Sequence, residues 1–322
     1  MNLVFTICSI NYLASAKTLA QSVRATNPNI TFVYVIADKI DGRLPLNYFE
    51  QDEFIEVENL GIANLNELVE TYNIIEFNTA IKPFAIKYLN EKYTATKIIY
   101  LDPDIIVFNS LSAVFEQLNK YDFIVTPHIL QPIISIEFYA QQQSAINTGV
   151  FNLGFIGINY NQTTTPIIDW WATHMRNHGH CNTNIGEFYD QKIMNLLPIF
   201  SNNLLIEKNA GYNVAGWNIH ERTITKQDNI FYVNNSPLIF YHYSGIINDT
   251  KRNLISSYNH LTTSYNTHIT ELLNKYIVGL QNNNHTELRN INCAYNLLPN
   301  IHKTTRFQML VYKLKKHLLW SK

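Results

Sequence analysis

Apolar runs of strand length alternate with helical patterns over roughly the first 125 residues of the chain. Residues 3–8, 31–37, 54–57 and 97–101 are the predicted strands, and residues 13–25 and 82–90 the predicted helices. Such alternation favours βαβ units and an α/β fold with a mostly parallel sheet. Ligands of such sheets bind beyond the carboxyl ends of the strands, so we expect residues 9–12, Asp38 and Asp102 to converge there.

The second half of the sequence is less regular. Residues 151–158 and 238–243 are predicted strands, and residues 166–176 and 187–197 are predicted helices, the latter stopped by Pro198. From about residue 252 the pattern is helical with Asn-rich breaks. We therefore predict a catalytic domain over residues 1–250 and a helical C-terminal region over residues 251–322.

Composition and charge exclude several classes of protein. A chain of 322 residues with 46% hydrophobic and 13% aromatic content can bury a substantial core and is not disordered. Its net charge of −1 gives no global field for nucleic acid. The cysteines Cys8, Cys181 and Cys293 lie far apart with no CxxC spacing, which points to a reducing compartment. With neither a signal-peptide pattern nor an apolar stretch of membrane-spanning length, we expect a cytoplasmic location.

Two aspartates follow the predicted strand 97–101. Asp102 and Asp104 flank Pro103, and in an extended chain residues i and i+2 project to the same side. Two hard oxygen ligands at a strand end suit Mg²⁺ or Mn²⁺ held against a diphosphate. The alternative is an ordinary strand-to-turn corner, where Asp and Pro are good turn formers.

Seven segments together resemble one family. They are VFTICSINY, TAIKPF, IIYLDPDIIVF, FNLGFIGI, FYDQKIMNLLP, GYNVAGWNIHER and FYHYSG, spread over residues 3–245. In this order they resemble bacterial glycosyltransferases of GT-A fold, most closely the family 8-like nucleotide-sugar transferases. The resemblance implies a GT-A (Rossmann-like) fold, a nucleotide-diphosphate donor, in this family usually a UDP-sugar, and a glycan acceptor of surface polysaccharide or lipopolysaccharide synthesis.

The resemblance also implies a metal site. In this family a histidine from a C-terminal element completes the metal shell, so His242 would join Asp102 and Asp104 around Mn²⁺ or Mg²⁺. Ser244 and Gly245 would contact the donor phosphates, since a glycine lets backbone amides approach closely. The family's usual Lys-Pro-Trp ending is missing here, and Lys251 is the candidate replacement for its cation. The alternative for His242, which lies between Tyr241 and Tyr243, is a structural role in a half-buried strand.

Further donor contacts are assigned to Asn11, Tyr12, Asp38, Lys82 and Asn152. Asn11 and Tyr12 follow the first strand, a usual place for base and ribose contacts. The alternative is an Asn-containing turn with a packed Tyr, which would give the same sequence pattern. Lys82 would reach a phosphate or a sugar edge as a point charge, or would only extend along a helix surface. The resemblance favours the first role.

The resemblance places Gln191 at the reacting anomeric carbon and Asp190 on the donor or acceptor sugar, both on the predicted helix 187–197. Acceptor contacts are assigned to Asn213, Trp217 and Asn218, an aromatic-amide group suited to a sugar ring. Trp217 could equally belong to the core. The histidines at 174, 178 and 180 with Cys181 lack the companion ligands of a zinc site, and a mobile loop near the acceptor is the better interpretation.

These assignments predict a metal-dependent glycosyltransferase, retaining if the resemblance holds in full. An inverting enzyme would use Asp190 or Glu187 as general base. A non-catalytic nucleotide- or sugar-binding module is the alternative from another class. A nucleotidyltransferase is disfavoured because residues 8–12 contain no glycine.

The C-terminal tail, residues 306–322, places Phe307, Leu310, Val311, Leu314 and Leu318 on one helical stripe beside several lysines. This pattern predicts a basic amphipathic helix that binds an anionic membrane surface, peripheral on the inner face of the plasma membrane. A lipid-linked glycan acceptor would suit that position. The alternative is a helix that packs its stripe on the catalytic domain.

Overall fold

The computed structural model describes residues 1–45, 48–49, 52–247, 255–256 and 267–299. The strands, in chain order, are β1 (Asn2–Cys8), β2 (Thr31–Ile36), β3 (Glu53–Glu56), β4 (Lys97–Leu101), β5 (Ile105–Val107), β6 (Phe123–Pro127), β7 (Phe151–Asn159), β8 (Cys181–Asn182), β9 (Glu187–Phe188), β10 (Leu204–Ile206), β11 (Val214–Ala215), β12 (Ile224–Gln227), β13 (Ile230–Val233), β14 (Ser236–Pro237), β15 (Phe240–His242), β16 (Ile246–Ile247) and β17 (Ile255–Ser256). The helices are α1 (Leu13–Thr26), α2 (Leu65–Thr71), α3 (Ile74–Ala80), α4 (Lys82–Tyr93), α5 (Ser112–Gln117), α6 (Tyr139–Thr148), α7 (Thr165–His174), α8 (Leu197–Phe200), α9 (Thr267–Asn282) and α10 (His285–Leu288).

Seven strands of the described part of the chain form one central sheet, in the order β10-β6-β7-β4-β1-β2-β3. Neighbouring strands are parallel except around β7, which runs antiparallel to both β4 and β6. The predicted mostly parallel sheet is therefore confirmed. Since β1 and β4 are parallel neighbours, the residues that follow them lie side by side at the carboxyl edge.

The central strands are buried on both faces. Val4 of β1 belongs to a hydrophobic cluster that includes Leu19 of α1, whereas Phe5 belongs to a second cluster that includes Ile86 of α4. Successive side chains of a strand point to opposite faces, so β1 contributes to both clusters. This double burial explains why the strands appear in the sequence as continuous apolar runs rather than as alternating patterns.

The helix predicted over residues 187–197 is wrong for residues 187–192, and Ile193–Leu196 form a short 3₁₀-helix. Residues 187–188 form β9, paired with β8, and the chain then turns at Tyr189, whose φ of 49° lies in the left-handed region. Asp190 and Gln191 lie in the turn that follows, and an α-helix begins only at Leu197, with Pro198 in its first turn. Tertiary polar contacts of Asp190 and Gln191, described below, outweigh the local helical pattern.

The described C-terminal residues pack on the N-terminal half. On α9, Tyr276 Oη lies 3.1 Å from Ser15 Oγ of α1. Further along, the Ala294 N–H donates to Asp38 Oδ1 at 2.8 Å. The division into domains 1–250 and 251–322 stays a prediction, and both Lys251 and the tail 306–322 lie outside the described residues. None of the helices that the structure describes has the length and apolarity needed to cross a bilayer.

Candidate functional site

A cleft of about 590 Å³ opens at the carboxyl edge of the sheet. We call it the main cleft. It is lined by residues at and after the end of β1, by α3 and the start of α4, by the end of β4 and the beginning of β7, by the turn after β9 and by residues at and after the end of β15. Its position agrees with the rule that open α/β sheets bind ligands beyond the carboxyl ends of their strands.

Asp102, Asp104 and His242 meet on the floor of the main cleft. Pairing of β15 with β5 places His242 opposite Ile105, directly beside the aspartates that lie between β4 and β5. His242 Nε2 lies 3.1 Å from Asp104 Oδ1 and 3.6 Å from Asp102 Oδ2. One ligand atom from each residue lies within 4.8 Å of the other two. We call these three residues the triad; its donor set of two carboxylates and one imidazole suits a divalent cation such as Mn²⁺.

Two neighbours orient the triad. The Tyr100 hydroxyl donates to Asp102 Oδ1 at 2.6 Å, which leaves Oδ2 directed toward His242. His242 Nδ1 lies 3.2 Å from the side-chain oxygen of Asn213, an acceptor, which favours a proton on Nδ1 and leaves Nε2 as the ring nitrogen that faces the carboxylates. A hydrogen bond on the far nitrogen is the usual support of a metal-ligating histidine.

Because Gly154 of β7 has no side chain, the triad can occupy the space next to it. A Cβ atom at this position would lie 2.4 Å from His242 Cε1, 2.7 Å from Asp102 Oδ2 and 2.8 Å from Asn152 Oδ1. Even alanine would therefore displace two of the three triad side chains. The arrangement of the triad therefore requires glycine at position 154. The two carboxylates and the imidazole of the triad are a donor set that fits a bound cation.

The electrostatics of the triad are those of closely packed opposite charges. Burial raises the pKa of Asp102, and the charges of Lys82 and His242 oppose that rise only in part. For His242, burial lowers the pKa, but the carboxylates of Asp104 and Asp102 outweigh burial and raise it overall. The shift of His242 therefore reflects the nearby carboxylates, whereas the shift of Asp102 reflects mainly its burial.

Lys82 and Asp190, which both line the main cleft, form a buried ion pair in its wall. Lys82 Nζ donates to Asp190 Oδ2 at 2.6 Å and to the Leu153 carbonyl oxygen at 3.0 Å, and it lies 4.2 Å from the centre of the Tyr100 ring. The two charged side chains are 1% and 2% exposed. The sequence assigned both to ligands, whereas their closest polar contacts in the structure are with each other.

Gln191 and Asn152 lie side by side where the main cleft meets a second cavity. The Gln191 side-chain oxygen accepts hydrogen bonds of 3.3 Å from Asn152 Nδ2 and from the Leu153 N–H, and its nitrogen donates to Thr148 O at 3.0 Å. Asn152 Oδ1 accepts from Asn213 Nδ2 at 3.0 Å. A continuous polar network therefore runs from Gln191 to the neighbour of His242.

The remaining predicted donor residues separate into two groups. Asn11, Tyr12, Ser244 and Gly245 line the main cleft. Asp38 does not: it is fully buried, and its carboxylate accepts hydrogen bonds from three backbone N–H groups and from Arg43. Asp38 does lie beside the segment 9–12, since one of those N–H groups is that of Ile10 at 3.3 Å, but it does not line the main cleft, because the segment around Ala294 also contacts it.

A second cavity of about 300 Å³ adjoins the main cleft and shares Asn152, Phe188, Gln191 and Ser244 with it. We call it the side hollow. Of the predicted acceptor residues, Trp217 lines the hollow and contacts the His242 ring edge to face at 5.1 Å. Asn213 and Asn218 lie beneath, where Asn218 holds the Asn213 carbonyl and the Ala215 N–H.

Sequence reasoning missed Tyr100, Gly154 and Asn78. Asn78 lines the main cleft and donates to Ser9 Oγ at 2.9 Å. Tyr100 could have been found, since it precedes Asp102 by two positions and so shares its side of the strand. Gly154 and Asn78 carry no such signal, because their roles depend on elements that are distant in sequence.

Comparison with known proteins gives relatives of low identity. No family model matches the sequence. The chain is similar to the uncharacterized protein YfnF of Bacillus subtilis (strain 168), at 25% identity over 244 residues, which cover 74% of this chain and 80% of YfnF. It is also similar to the uncharacterized protein YfnD of the same strain, at 22% identity over 200 residues, which cover 61% of this chain and 62% of YfnD.

Solved structures give the fold. An active-site mutant of LgtC aligns with a TM-score of 0.51 at 18% identity, over 85% of this chain and 95% of LgtC. The apo form of the glycosyltransferase GlyE of Streptococcus pneumoniae TIGR4 aligns with a TM-score of 0.50 at 18% identity, over 87% of this chain and 62% of GlyE. The chain thus has the GT-A fold of these proteins, which confirms the predicted fold class.

Proposed function

We propose that the protein is a metal-dependent glycosyltransferase that moves a sugar from a nucleotide-diphosphate donor, a UDP-sugar, to a hydroxyl of a glycan acceptor. The observation that carries the proposal is the triad on the floor of the main cleft. Similarity of fold to LgtC and GlyE supports it. The proposed acceptor belongs to surface polysaccharide or lipopolysaccharide synthesis, on the cytoplasmic side of the membrane.

The reaction breaks a bond between the anomeric carbon and a phosphate oxygen. Asp102, Asp104 and His242 would hold Mn²⁺ or Mg²⁺, which when bound supplies positive charge to the departing diphosphate. Tyr100 and Asn213 keep Asp102 and His242 in the ligating orientation before the donor arrives. This pre-organisation lowers the cost of neutralising the leaving group.

Donor binding follows from the lining of the main cleft. Asn11 and Tyr12 lie past the end of β1, where we assign contacts to the base and ribose. Ser244 and Gly245 follow the metal ligand His242, so the diphosphate that binds the cation would pass beside them. Gly245 has a φ of 74°, a backbone conformation that glycine adopts without strain.

We infer a retaining reaction, because each candidate base of an inverting enzyme already has a side-chain partner. Inversion requires a carboxylate that takes the acceptor proton on the face opposite the leaving group. Asp190 is buried against Lys82, and Glu187 lies 3.1 Å from His178 Nδ1 and does not line the main cleft. In a retaining reaction a donor phosphate oxygen accepts the proton, and the Gln191 amide stabilises the sugar cation.

The test is a panel of nucleotide sugars with Mn²⁺ or Mg²⁺, scored by thermal unfolding and by donor hydrolysis. Binding of donor and metal should raise the unfolding temperature of the native protein, and Asp104→Asn should lose this rise together with hydrolysis. Asp169→Asn is the matched control, since Asp169 is half-exposed and its carboxylate pairs with Lys87 on the surface.

Two results would contradict the proposal. Stabilisation by nucleotide sugars without hydrolysis or transfer, under every metal condition, would identify a binding module. Hydrolysis that persists unchanged in Asp104→Asn would remove the metal role of the triad. The anomeric configuration of the product, read by NMR, separates retention from inversion.

A further inference from the structure

The side hollow has an uncharged lining. Its polar groups come from amides and hydroxyls, among them Gln141, Ser144 and Thr148 of α6, and its aromatic surfaces come from Phe188 and Trp217. His128 is the one ionisable group among the described residues that line it, and burial lowers its pKa to about 4. A carboxylate or phosphate in this hollow would have no charged partner and would be costly to desolvate.

Among the described residues that line the hollow, one buried side-chain oxygen is left without a hydrogen-bond partner. Gln141 Oε1 is buried and accepts no hydrogen bond. A buried acceptor of this kind is costly unless a ligand or water satisfies it. Sugar hydroxyls are donors, and aromatic side chains such as Trp217 bind the apolar faces of sugar rings.

An apolar segment borders the hollow. Residues 130–139 lie between Ile129 and Ala140, which both line the hollow. The base of the segment is fixed, since the carboxylate of Glu221 accepts from the Leu130 and Gln131 N–H groups and Phe138 stacks on His220 at 4.9 Å.

Two side chains of this segment point away from the protein. Ile134 is 98% exposed and Ile136 is 93% exposed. Large apolar side chains held in solvent on an anchored segment mark a binding surface. Residues 129–150 contain one acidic residue, Glu137, and no lysine or arginine, so they lack the basic residues that attach proteins to anionic lipid.

We propose that the acceptor is an uncharged sugar that carries an apolar aglycone, with the sugar in the side hollow and the aglycone against Ile134 and Ile136. This inference rests on the proposed glycosyl transfer and names the chemical class of its acceptor. The acceptor hydroxyl would reach the donor beside Gln191 and Asn152, which line both cavities.

The test measures transfer to a panel of neutral hexoses and N-acetylhexosamines, each as the free sugar and as its octyl glycoside, with the matching uronic acids. We expect kcat/KM for the preferred octyl glycoside to exceed that of its free sugar about tenfold or more, because the chain buries apolar area. The uronic acid should be at least about thirtyfold worse than its neutral partner. Donor hydrolysis without acceptor is measured in parallel.

Variants connect these preferences to the named residues. Ile134→Ser/Ile136→Ser should bring the ratio of octyl glycoside to free sugar toward one, whereas Val278→Ser on α9, half-exposed and lining neither cavity, should keep the native ratio. Gln141→Lys should raise kcat/KM for the uronic acid relative to the neutral sugar about tenfold.

The outcomes separate the two proposals. Absence of metal-dependent donor hydrolysis would reject the glycosyltransferase itself. If donor hydrolysis is present, three results would reject only the acceptor class. These are a preference for charged acceptors, equal use of free sugars and octyl glycosides, and no transfer to any neutral glycoside. Cosedimentation of the native protein with phosphatidylcholine vesicles, lost in the double serine variant, would assign Ile134 and Ile136 to a bilayer and overturn the aglycone contact.

Discussion

Replacement of Gly154 by alanine is the sharpest test of the triad. The added Cβ would lie 2.4 Å from His242 Cε1 and 2.7 Å from Asp102 Oδ2, whereas real Cβ contacts are seldom closer than 3.4 Å. The imidazole must therefore retreat by about 1 Å and the carboxylate by about 0.7 Å. Metal–ligand distances tolerate changes of only about 0.2 Å, so both ligands cannot stay in place.

The expected losses follow from these displacements. Affinity for Mn²⁺ should fall about 10- to 100-fold, as when the support of a ligand is removed. Donor hydrolysis should fall on the order of 100-fold, and overpacking should cost about 1–3 kcal/mol of the free energy of unfolding. Free Mn²⁺ measured by electron paramagnetic resonance gives the affinity, and urea unfolding gives the stability.

Gly157→Ala is the matched control on the same strand. Its Cβ would meet Ile124 at 3.4 Å and its other neighbours at 3.5 and 3.6 Å, which is ordinary van der Waals contact. This variant should bind Mn²⁺ and hydrolyse the donor like the native protein. Native Mn²⁺ affinity in Gly154→Ala would refute the argued geometry, since a triad that tolerates a 1 Å shift is not a metal site.

Three further predictions concern buried carboxylates. Lys82→Met and Asp190→Asn should each lower the free energy of unfolding, measured by urea titration, by about 3–5 kcal/mol, because each leaves one buried charge without its partner. The double variant Lys82→Met/Asp190→Leu should recover part of this loss, because it buries no charge at this position. The pKa of Glu76 is lowered, since His180 and two backbone N–H groups outweigh burial. Its stabilising effect is present above the ordinary value of 4.5 and lost as pH falls, so the stability difference between native protein and Glu76→Gln should shrink between pH 6 and pH 3. Asp38→Asn should cost about 2–4 kcal/mol yet change the donor Kd, measured calorimetrically, less than about threefold, because its contacts are internal.

Each of these predictions has a contrary result. A double variant at positions 82 and 190 that is less stable than both single variants would show that the pair is not held by mutual charge. A stability difference for Glu76→Gln that grows toward acid pH would reverse the sign of its pKa shift. A large loss of donor affinity in Asp38→Asn with unchanged stability would return Asp38 to the donor site.

The central sheet could be predicted because its signals are local. Strands buried on both faces, such as β1 and β4, are continuous apolar runs that periodicity detects. The acid pair could be predicted for the same reason, since Asp102 and Asp104 directly follow β4. His242 was reached only through the family resemblance, because its approach to the aspartates depends on pairing of β15 with β5 across more than a hundred residues.

The failures have one physical cause. The residues 187–197 show helical periodicity, but the ion pair of Asp190 with Lys82 and the amide contacts of Gln191 fix a turn there. Asp38 follows a strand as a donor ligand would, but its partner Ala294 lies 256 residues away. In both cases long-range polar contacts decide the structure, and a single sequence does not reveal them.

A network of buried amide side chains makes the candidate site rigid between His242 and Gln191. His242 contacts Asn213, Asn213 contacts Asn152, and Asn152 contacts Gln191, whose nitrogen reaches the backbone of α6 at Thr148. Each of these amides has both a donor and an acceptor in use, so rotating one would leave a buried group unpaired. The triad, proposed to bind the metal, and the side hollow, proposed to bind the acceptor, are therefore held in a fixed relative position by the protein itself. For a reaction whose catalysis is mainly positioning and charge stabilisation, this rigidity matters more than any single base.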